Sequence, residues 1–509
     1  MEGKQDYKYG QVAGSEGEES IPLAAYDADN DNGNVNTVAS TMVSASSGTA
    51  SRSFLYIAAS AGNLASFVCG TTFGWTSPEI PKLKGVLDNP LASPISKGEE
   101  GWIGSFLPLG AALGPFAAGI AADKIGRKKT LLVSVVPFIV AFILNITATN
   151  VNYFFASRFL CGLAVGIVFT VLPMYIGEIS DDEVRGSLGS FMQLFIVIGL
   201  LFSYVLGPYL SIQFFNIILL IPPVVFLVVF LFFIPESPYY LVQVDDMEGA
   251  EESLTKLRSK AKNDVQKELE TVKSSVDEAQ RNKGNFFDIF KSRGLTMALF
   301  LSVSLVAMQQ FSGINIVLFY AQDIFTDAGV SLAPEICTII IGIVQVIASG
   351  LTPMLVEKRG KRFLLLLSAV GMGLSQGVLA FFFYLKDDKH SDISAIGWVP
   401  IASLICYIIT YCLGFGPLPW AVMGELFPGN IKSVASTVTA SGCWLLGFLI
   451  TKYFGMVTDL IGKSGSFGIF ALCCFGATIF TYKLVPETSG KSLQEIQDIL
   501  NGNAPSSKE

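Results

Sequence analysis

Charge is scarce in this chain. Asp, Glu, Lys and Arg make up 15% of its 509 residues and hydrophobic residues 51%, with a mean hydropathy of +0.53. Such a composition excludes a soluble globular domain and predicts an integral membrane protein. The net charge of −8 comes mostly from acids in the N-terminal tail, the first loop and the middle loop, so no basic footprint for nucleic acid exists. Histidine is nearly absent: His390 is the only one, and without an acidic or metal-ligand partner it reads as a solvated loop residue. The eight cysteines fall almost all within apolar runs and lack metal-ligand spacing, so neither a disulfide framework nor a metal or other cofactor is expected. No nucleophile with a base is apparent, and an enzyme is not expected. Residues 1–53 are rich in Gly, Ser, Asp, Glu and Asn and lack the apolar core of a secretory signal, which predicts a disordered tail.

What the chain has in abundance is apolar runs long enough to cross a bilayer. Those near 54–75, 102–122, 130–149, 154–176, 190–210 and 213–234 make six spans, and those near 295–320, 334–356, 363–385, 397–423, 434–455 and 465–485 make six more. The expected fold is an all-α membrane protein of twelve transmembrane helices in two pseudo-symmetric six-helix bundles, 54–234 and 295–485. A cytoplasmic middle loop, 235–294, has helix-favouring density, and 486–509 forms a C-terminal tail. Lys124, Arg127, Lys128, Lys129, Arg185, the cations between 256 and 293, and Lys358 to Arg362 fall on one side, which the positive-inside rule makes cytoplasmic, together with both termini. The sequon at Asn145 lies at the outer edge of the third span, too close to the membrane for a glycan to be expected.

The halves repeat each other. Asp123-Lys124-Ile125-Gly126-Arg127-Lys128 corresponds to Glu357-Lys358-Arg359-Gly360-Lys361-Arg362. Glu178 with Arg185 corresponds to Glu425 with Lys432, and Pro235-Glu236-Ser237 to Pro486-Glu487-Thr488. A duplicated bundle of this kind suits an alternating-access carrier with its substrate between the halves. Acids and cations at matched helix ends can pair within one half, which suggests a cytoplasmic latch of Asp123, Arg127, Glu178, Arg185, Glu357, Arg362, Glu425 and Lys432. The alternative is that these charges only fix topology.

Gln309, Gln310 and Asn315 set three amides inside the apolar run 295–320. Burying an amide without partners costs on the order of 2–7 kcal/mol, so the three imply a polar ligand or a role as helix glue. On an unbroken helix Gln310 and Asn315 would project about 140° apart, at about 100° per residue, so the chain must bend near Ser312-Gly313 for both to face one ligand.

These motifs, with Arg158, Gly162 and Gly166, Pro173 to Glu178, Gln309 to Asn315, Gly416-Pro417-Leu418-Pro419-Trp420 and Pro486 to Gly490, resemble the sugar porter family of the major facilitator superfamily from about residue 54 to 496. Gly74 to Pro81 looks most like the insect facilitated trehalose transporters. The resemblance implies a sugar site of Gln193, Gln309, Gln310, Asn315, Gln345 and Trp420, with Trp444 as a further aromatic face, and an outer gate hinged at Gly313 and closing near Tyr320. It implies a neutral sugar as substrate, a plasma-membrane location and function as a monomer in the bilayer. Arg158, a charge inside a span without an intramembrane acid, is expected to bond backbone carbonyls or snorkel.

Departures from the family narrow the mechanism. Proton-coupled sugar porters that this chain resembles carry Asp where Thr76 stands, and no predicted span holds an embedded acid, which favours a uniporter. Cys412 and Cys443 stand where many glucose carriers of the family have Glu and Asn, which favours a different or larger sugar such as trehalose. A hexose facilitator, a proton symporter and a non-transporting sugar sensor are the alternatives. The latch expectation is tested by Glu178→Gln and Glu425→Gln: both should alter the transport rate and the balance of inward and outward states, and unchanged values in both would leave only a topological role.

Overall fold

The computed structural model describes residues 52–502 apart from 87–88, 182, 282–285 and 492. The expected tail, 1–53, lies outside the described residues but for its last two. The first half comprises α1 (Ser53–Lys84), α2 (Lys97–Ile125), α3 (Arg127–Ile146), α4 (Val151–Ile179), α5 (Arg185–Leu206) and α6 (Ile212–Phe233). Three helices of the middle segment follow, α7 (Pro238–Gln243), α8 (Met247–Arg258) and α9 (Lys262–Arg281). The second half contains α10 (Arg293–Phe311), α11 (Ile314–Phe319), α12 (Ala321–Ala328), α13 (Pro334–Arg359), α14 (Lys361–Phe383), α15 (Val399–Leu413), α16 (Leu418–Leu426) and α17 (Gly429–Leu484), and α18 (Leu493–Asn501) closes the chain.

These elements make twelve crossings. α10 and α11 form one broken crossing, as do α15 and α16. α17 has 56 residues, roughly 84 Å at about 1.5 Å per residue, far more than one crossing needs. Gly462 inside it is non-helical (φ 75°, ψ 171°) and divides it into two spans. Each half is held by close helix contacts at glycine. A Cβ on Gly162 of α4 would lie 2.0 Å from the Leu107 carbonyl oxygen of α2, and one on Gly70 of α1 would lie 2.0 Å from that of Ile196 on α5. In lipid, where apolar side chains gain nothing by leaving the solvent, such backbone proximity is what packs helices.

The sequence repeat becomes a geometric one. Gly126 (φ 98°, ψ 163°) and Gly360 (φ 76°, ψ 161°) turn the chain identically between α2 and α3 and between α13 and α14. The carboxylate of Glu236 accepts from the Lys128 N–H at 2.8 Å, while Glu487 accepts from the N–H groups of Lys361 and Arg362, both at 3.1 Å. These are the orphan donors at a helix start, satisfied by an acid from the end of the same half.

The middle helices have a small core of their own, including Leu254, Val265, Leu269 and Val272. Arg258 docks it: the guanidinium pairs with Glu268 at 2.7 Å and donates to the Ile179 carbonyl at the end of α4 at 2.8 Å. α18 ties two helices of the second half, as Asn501 accepts from the Gly294 N–H and Gln497 donates to the Leu426 carbonyl.

The first span departs from expectation. α1 does not stop near 75 but continues to Lys84, so the first part of the expected outer loop, 76–84, is helix and the loop proper begins at Gly85. Thr76, Ser77 and Glu79 are buried, which corrects the expectation that no span holds an acid. The polar run misled because its residues find partners inside the bundle: Glu79 Oε1 pairs with Lys82 at 2.7 Å, and the Lys82 ammonium also donates to the carbonyls of Gly207 and Leu210 just after α5. Asn145 is likewise buried and donates to Asn216 at 2.9 Å, which leaves no room for a glycan.

Glu487 lies beyond the last span. Burial pushes its pKa up, but N–H and O–H bonds from Ser489 and the N–H groups of Arg362 and Lys361 outweigh burial and hold it below its ordinary value. A lowered native pKa stabilises the fold above the unfolded pKa and stops doing so as pH falls through the native one. Glu487→Gln should therefore lower the melting temperature at neutral pH, with the gap to the parent closing below the usual carboxylate range. Parallel melting curves across pH 3–8 in detergent would refute the assignment.

Candidate functional site

The second half breaks where the amides need it to. α10 ends at Phe311, Gly313 takes the left-handed conformation (φ 82°, ψ 16°), and α11 starts at Ile314. An L-residue there would be strained, and a Cβ would also lie 2.6 Å from the Phe470 ring. The break frees the Ser312 carbonyl, which accepts from Tyr407 Oη at 3.0 Å and Gln376 Nε2 at 3.1 Å. With the helix turned, Asn315 Nδ2 reaches Gln310 Oε1 at 2.7 Å, a contact the unbroken helix forbids.

The six side chains expected at the sugar site converge. Gln193, Gln309, Gln310, Asn315, Gln345 and Trp420 all line one cavity of about 90 Å³ between the halves, together with Phe73, Phe169, Tyr411 and Trp444. They do not play equal parts. The Gln309 amide nitrogen is fully engaged with the carbonyls of Phe415 (2.6 Å) and Gly416 (2.9 Å) and with Tyr411 Oη (3.2 Å), so it holds the break between α15 and α16. Gln310 Nε2 donates to Cys443 Sγ at 3.2 Å. Gln345 Oε1 and Trp444 Nε1 are buried without a hydrogen-bond partner in the protein, an acceptor and a donor beside the same cavity. Buried polar atoms left open in this way are costly unless a ligand or water meets them.

Apart from Gln193, the wall from the first half was not legible in the sequence. Phe73 of α1 and Phe169 of α4 reach Trp444 of α17, with ring centroids 5.9 Å and 5.6 Å away. Aromatic residues are common in every span, and only the tertiary contact singles these out. Arg158 is buried and bonds neutral oxygens: Thr72 O at 2.7 Å, Thr76 Oγ1 at 2.8 Å and Ile103 O at 3.3 Å. Its guanidinium also faces the rings of Trp75 and Phe319.

The matched charges pair within a half. Arg127 forks onto Glu178 at 3.0 Å and lies 3.8 Å from Asp123, and Lys361 pairs with Glu425. Ser237 donates to Glu178 as well. Arg185 Nη2 donates to the Ser180 carbonyl and Arg362 Nη2 to that of Tyr482. Asp123, Glu357 and Lys432 are exposed.

At the opposite end, charges cross between the halves. Lys84 of α1 bridges Glu100 of α2 and Asp323 of α12, at 2.9 Å and 3.0 Å, and Lys97 pairs with Asp459 at 2.8 Å. The Lys452 ammonium lies 3.7 Å from the Trp102 ring centroid. Tyr204 Oη donates to the Leu318 carbonyl, the Gln322 N–H donates to Ser77 Oγ, and the Tyr320 ring, stacked 6.3 Å from Phe454, abuts Gly104. Thus Tyr320 stands where α11 and α12 shut against the first half. Sequence spacing had no signal for the Lys84–Asp323 contact, which joins residues 239 positions apart.

A family model described as Sugar (and other) transporter matches residues 86–500. The chain belongs to that family. It is 37% identical over 444 residues to the facilitated trehalose transporter Tret1 of Bombyx mori, covering 87% of this chain and 86% of that one. Among solved structures it is similar to the xylose transporter XylE of E. coli in an inward open conformation, at 25% identity and a TM-score of 0.73, covering 87% and 99% of the two chains. A structure of XylE described as a proton:xylose symporter bound to 6-bromo-6-deoxy-D-glucose shares the fold, at 24% identity and a TM-score of 0.72, covering 88% and 99%. As a sugar transporter family member the protein is a multi-pass membrane transporter of the major facilitator fold.

In a transporter of this architecture, contacts that cross between the halves weigh on which end is closed. A part-exposed ion pair contributes about 0.2–1 kcal/mol, enough to shift a two-state balance by roughly 1.5- to 5-fold. Lys84→Ala and Asp323→Ala should each speed labelling of Thr451→Cys, which lies under the closure, by a membrane-impermeant maleimide to about that extent. No change in either variant would remove the pair from the gate.

Proposed function

We propose that the protein is a facilitative sugar carrier, a uniporter working by alternating access, for trehalose or a related sugar. The observation that carries this reading is the neutral cavity itself: the Gln310–Asn315 amide pair beside the open Gln345 Oε1 and Trp444 Nε1, with aromatic rings opposite. Sugar hydroxyls both donate and accept, so amides meet them without a charge that would hold the ligand too tightly to release. Trp420, Trp444, Phe73 and Phe169 offer faces to the C–H side of a ring. The likeness to relatives named facilitated trehalose transporters supports the substrate.

Uniport is favoured because the residues lining the cavity include no acid and because a hydroxyl, Thr76, accepts from Arg158. Symport with protons is the second reading, on one observation: Glu79 is an acid buried in α1. Its salt bridge to Lys82 and its place outside the cavity lining weigh against it. The protein works as a monomer in the plasma membrane, with its basic end and both termini in the cytoplasm, and in the state described its outer end is shut. The paired charges Arg127–Glu178 and Lys361–Glu425 serve as the inner latch, exchanging partners when the halves rock.

Counterflow of labelled trehalose and glucose in proteoliposomes tests these statements. Exchange of trehalose at equal rates with and without a proton gradient is the expected result. Dependence on the gradient would favour symport, exchange of glucose alone would reassign the sugar, and no exchange of either would point to a sensor.

A further inference from the structure

On the carrier reading above, we infer that Gly447 and Cys443 of α17 form a cradle that positions the Gln310–Asn315 amide pair, and that Gly447 thereby sets the affinity of the sugar site. Four residues apart, the two lie on one helix face. Cys443 Sγ takes the Gln310 Nε2 donor at 3.2 Å, which turns Gln310 Oε1 towards Asn315. Gly447 supplies the space for that bond. A Cβ there would lie 2.8 Å from Asn315 Nδ2 and 3.0 Å from Gln310 Oε1, the two atoms that make the 2.7 Å contact.

The backbone does not call for glycine at 447, which lies within α17 without a left-handed φ. Nor is small size a general need of this helix, because a Cβ on Gly442, Gly455 or Gly468 would meet nothing within 4 Å. The atoms crowded at 447 are the ends of flexible side chains, whereas Gly162 and Gly70 crowd backbone. An added methyl at 447 therefore displaces the amides, not the helices. Its cost falls on the site and leaves the fold intact.

Gly447→Ala should raise the KM for the exchanged sugar, labelled trehalose first and glucose otherwise, on the order of tenfold, as expected when a buried amide bond is broken. Maximal rate and melting temperature should stay near the parent values, a split that a purely structural role would not produce. In an Asn315→Ala background the same substitution should change KM by less than about twofold, since its target is gone. Independently, Cys443→Ala should raise KM while Cys443→Ser, which keeps an acceptor for Gln310, should restore it. An unchanged KM in Gly447→Ala, or an equal loss with and without Asn315, overturns the cradle while the active parent upholds the carrier. A parent that exchanges no sugar overturns both.

Discussion

The organisation of this protein depends on one constraint: polar groups inside a bilayer must be answered by other polar groups at short range. Breaking the helix at Gly313 unpairs backbone groups in the middle of a span, which is tolerable because Tyr407 and Gln376 supply donors to the Ser312 carbonyl. The same break turns Asn315 onto Gln310. A second break, between α15 and α16, is held by Gln309 through the carbonyls of Phe415 and Gly416. Two discontinuities therefore meet at one cavity, where irregular backbone is sheltered from lipid and polar side chains face a common space. The atoms left unanswered, Gln345 Oε1 and Trp444 Nε1, belong to residues that border that space, and the proposed sugar site rests on them.

The two ends of the molecule use charge differently. At the basic end, each half closes its own ion pairs around a glycine turn, with an acid from the last helix end seated on the start of α3 or α14. Pairs confined to one half leave the halves free to separate there. At the other end Lys84, Lys97 and Lys452 each reach the opposite half, and Tyr320 fills the seam. Such part-exposed contacts are individually weak, which fits the proposed carrier, whose closure would open and re-form in each cycle. From Gly313 to Tyr320 runs a line of stacked rings: Phe470 against Gly313, Phe454 on Phe470, and Tyr320 on Phe454. Both ends of α11 are therefore held by neighbours on α17.

Much of this was legible beforehand because membrane folding leaves a strong record in composition. Apolar runs, basic loops and the repeated Gly-centred motifs follow from bilayer thickness, charge asymmetry and duplication, each readable residue by residue. The need for a break near Gly313 followed from helix geometry alone, since Gln310 and Asn315 cannot share a face otherwise. The extent of α1 was not legible. Thr76, Ser77, Glu79 and Lys82 look like loop in isolation, and they are helical only because Arg158 and the end of α5 provide their partners. Phe73 and Phe169 could not be told from other span aromatics, and Lys84 could not be matched to Asp323 across two hundred residues.

The sequence by itself determined that this chain lives in a membrane, crosses it twelve times in two related halves, and places uncharged amides rather than acids at its centre, because those properties are set by local composition and spacing. The tertiary structure alone decided which amides bond to protein and which polar atoms stay open, that Cys443 and Gly447 lie against the Gln310–Asn315 pair, and at which end charges cross between the halves. These depend on contacts between helices far apart in the chain, and the energy of a buried polar group is set by its neighbours in space.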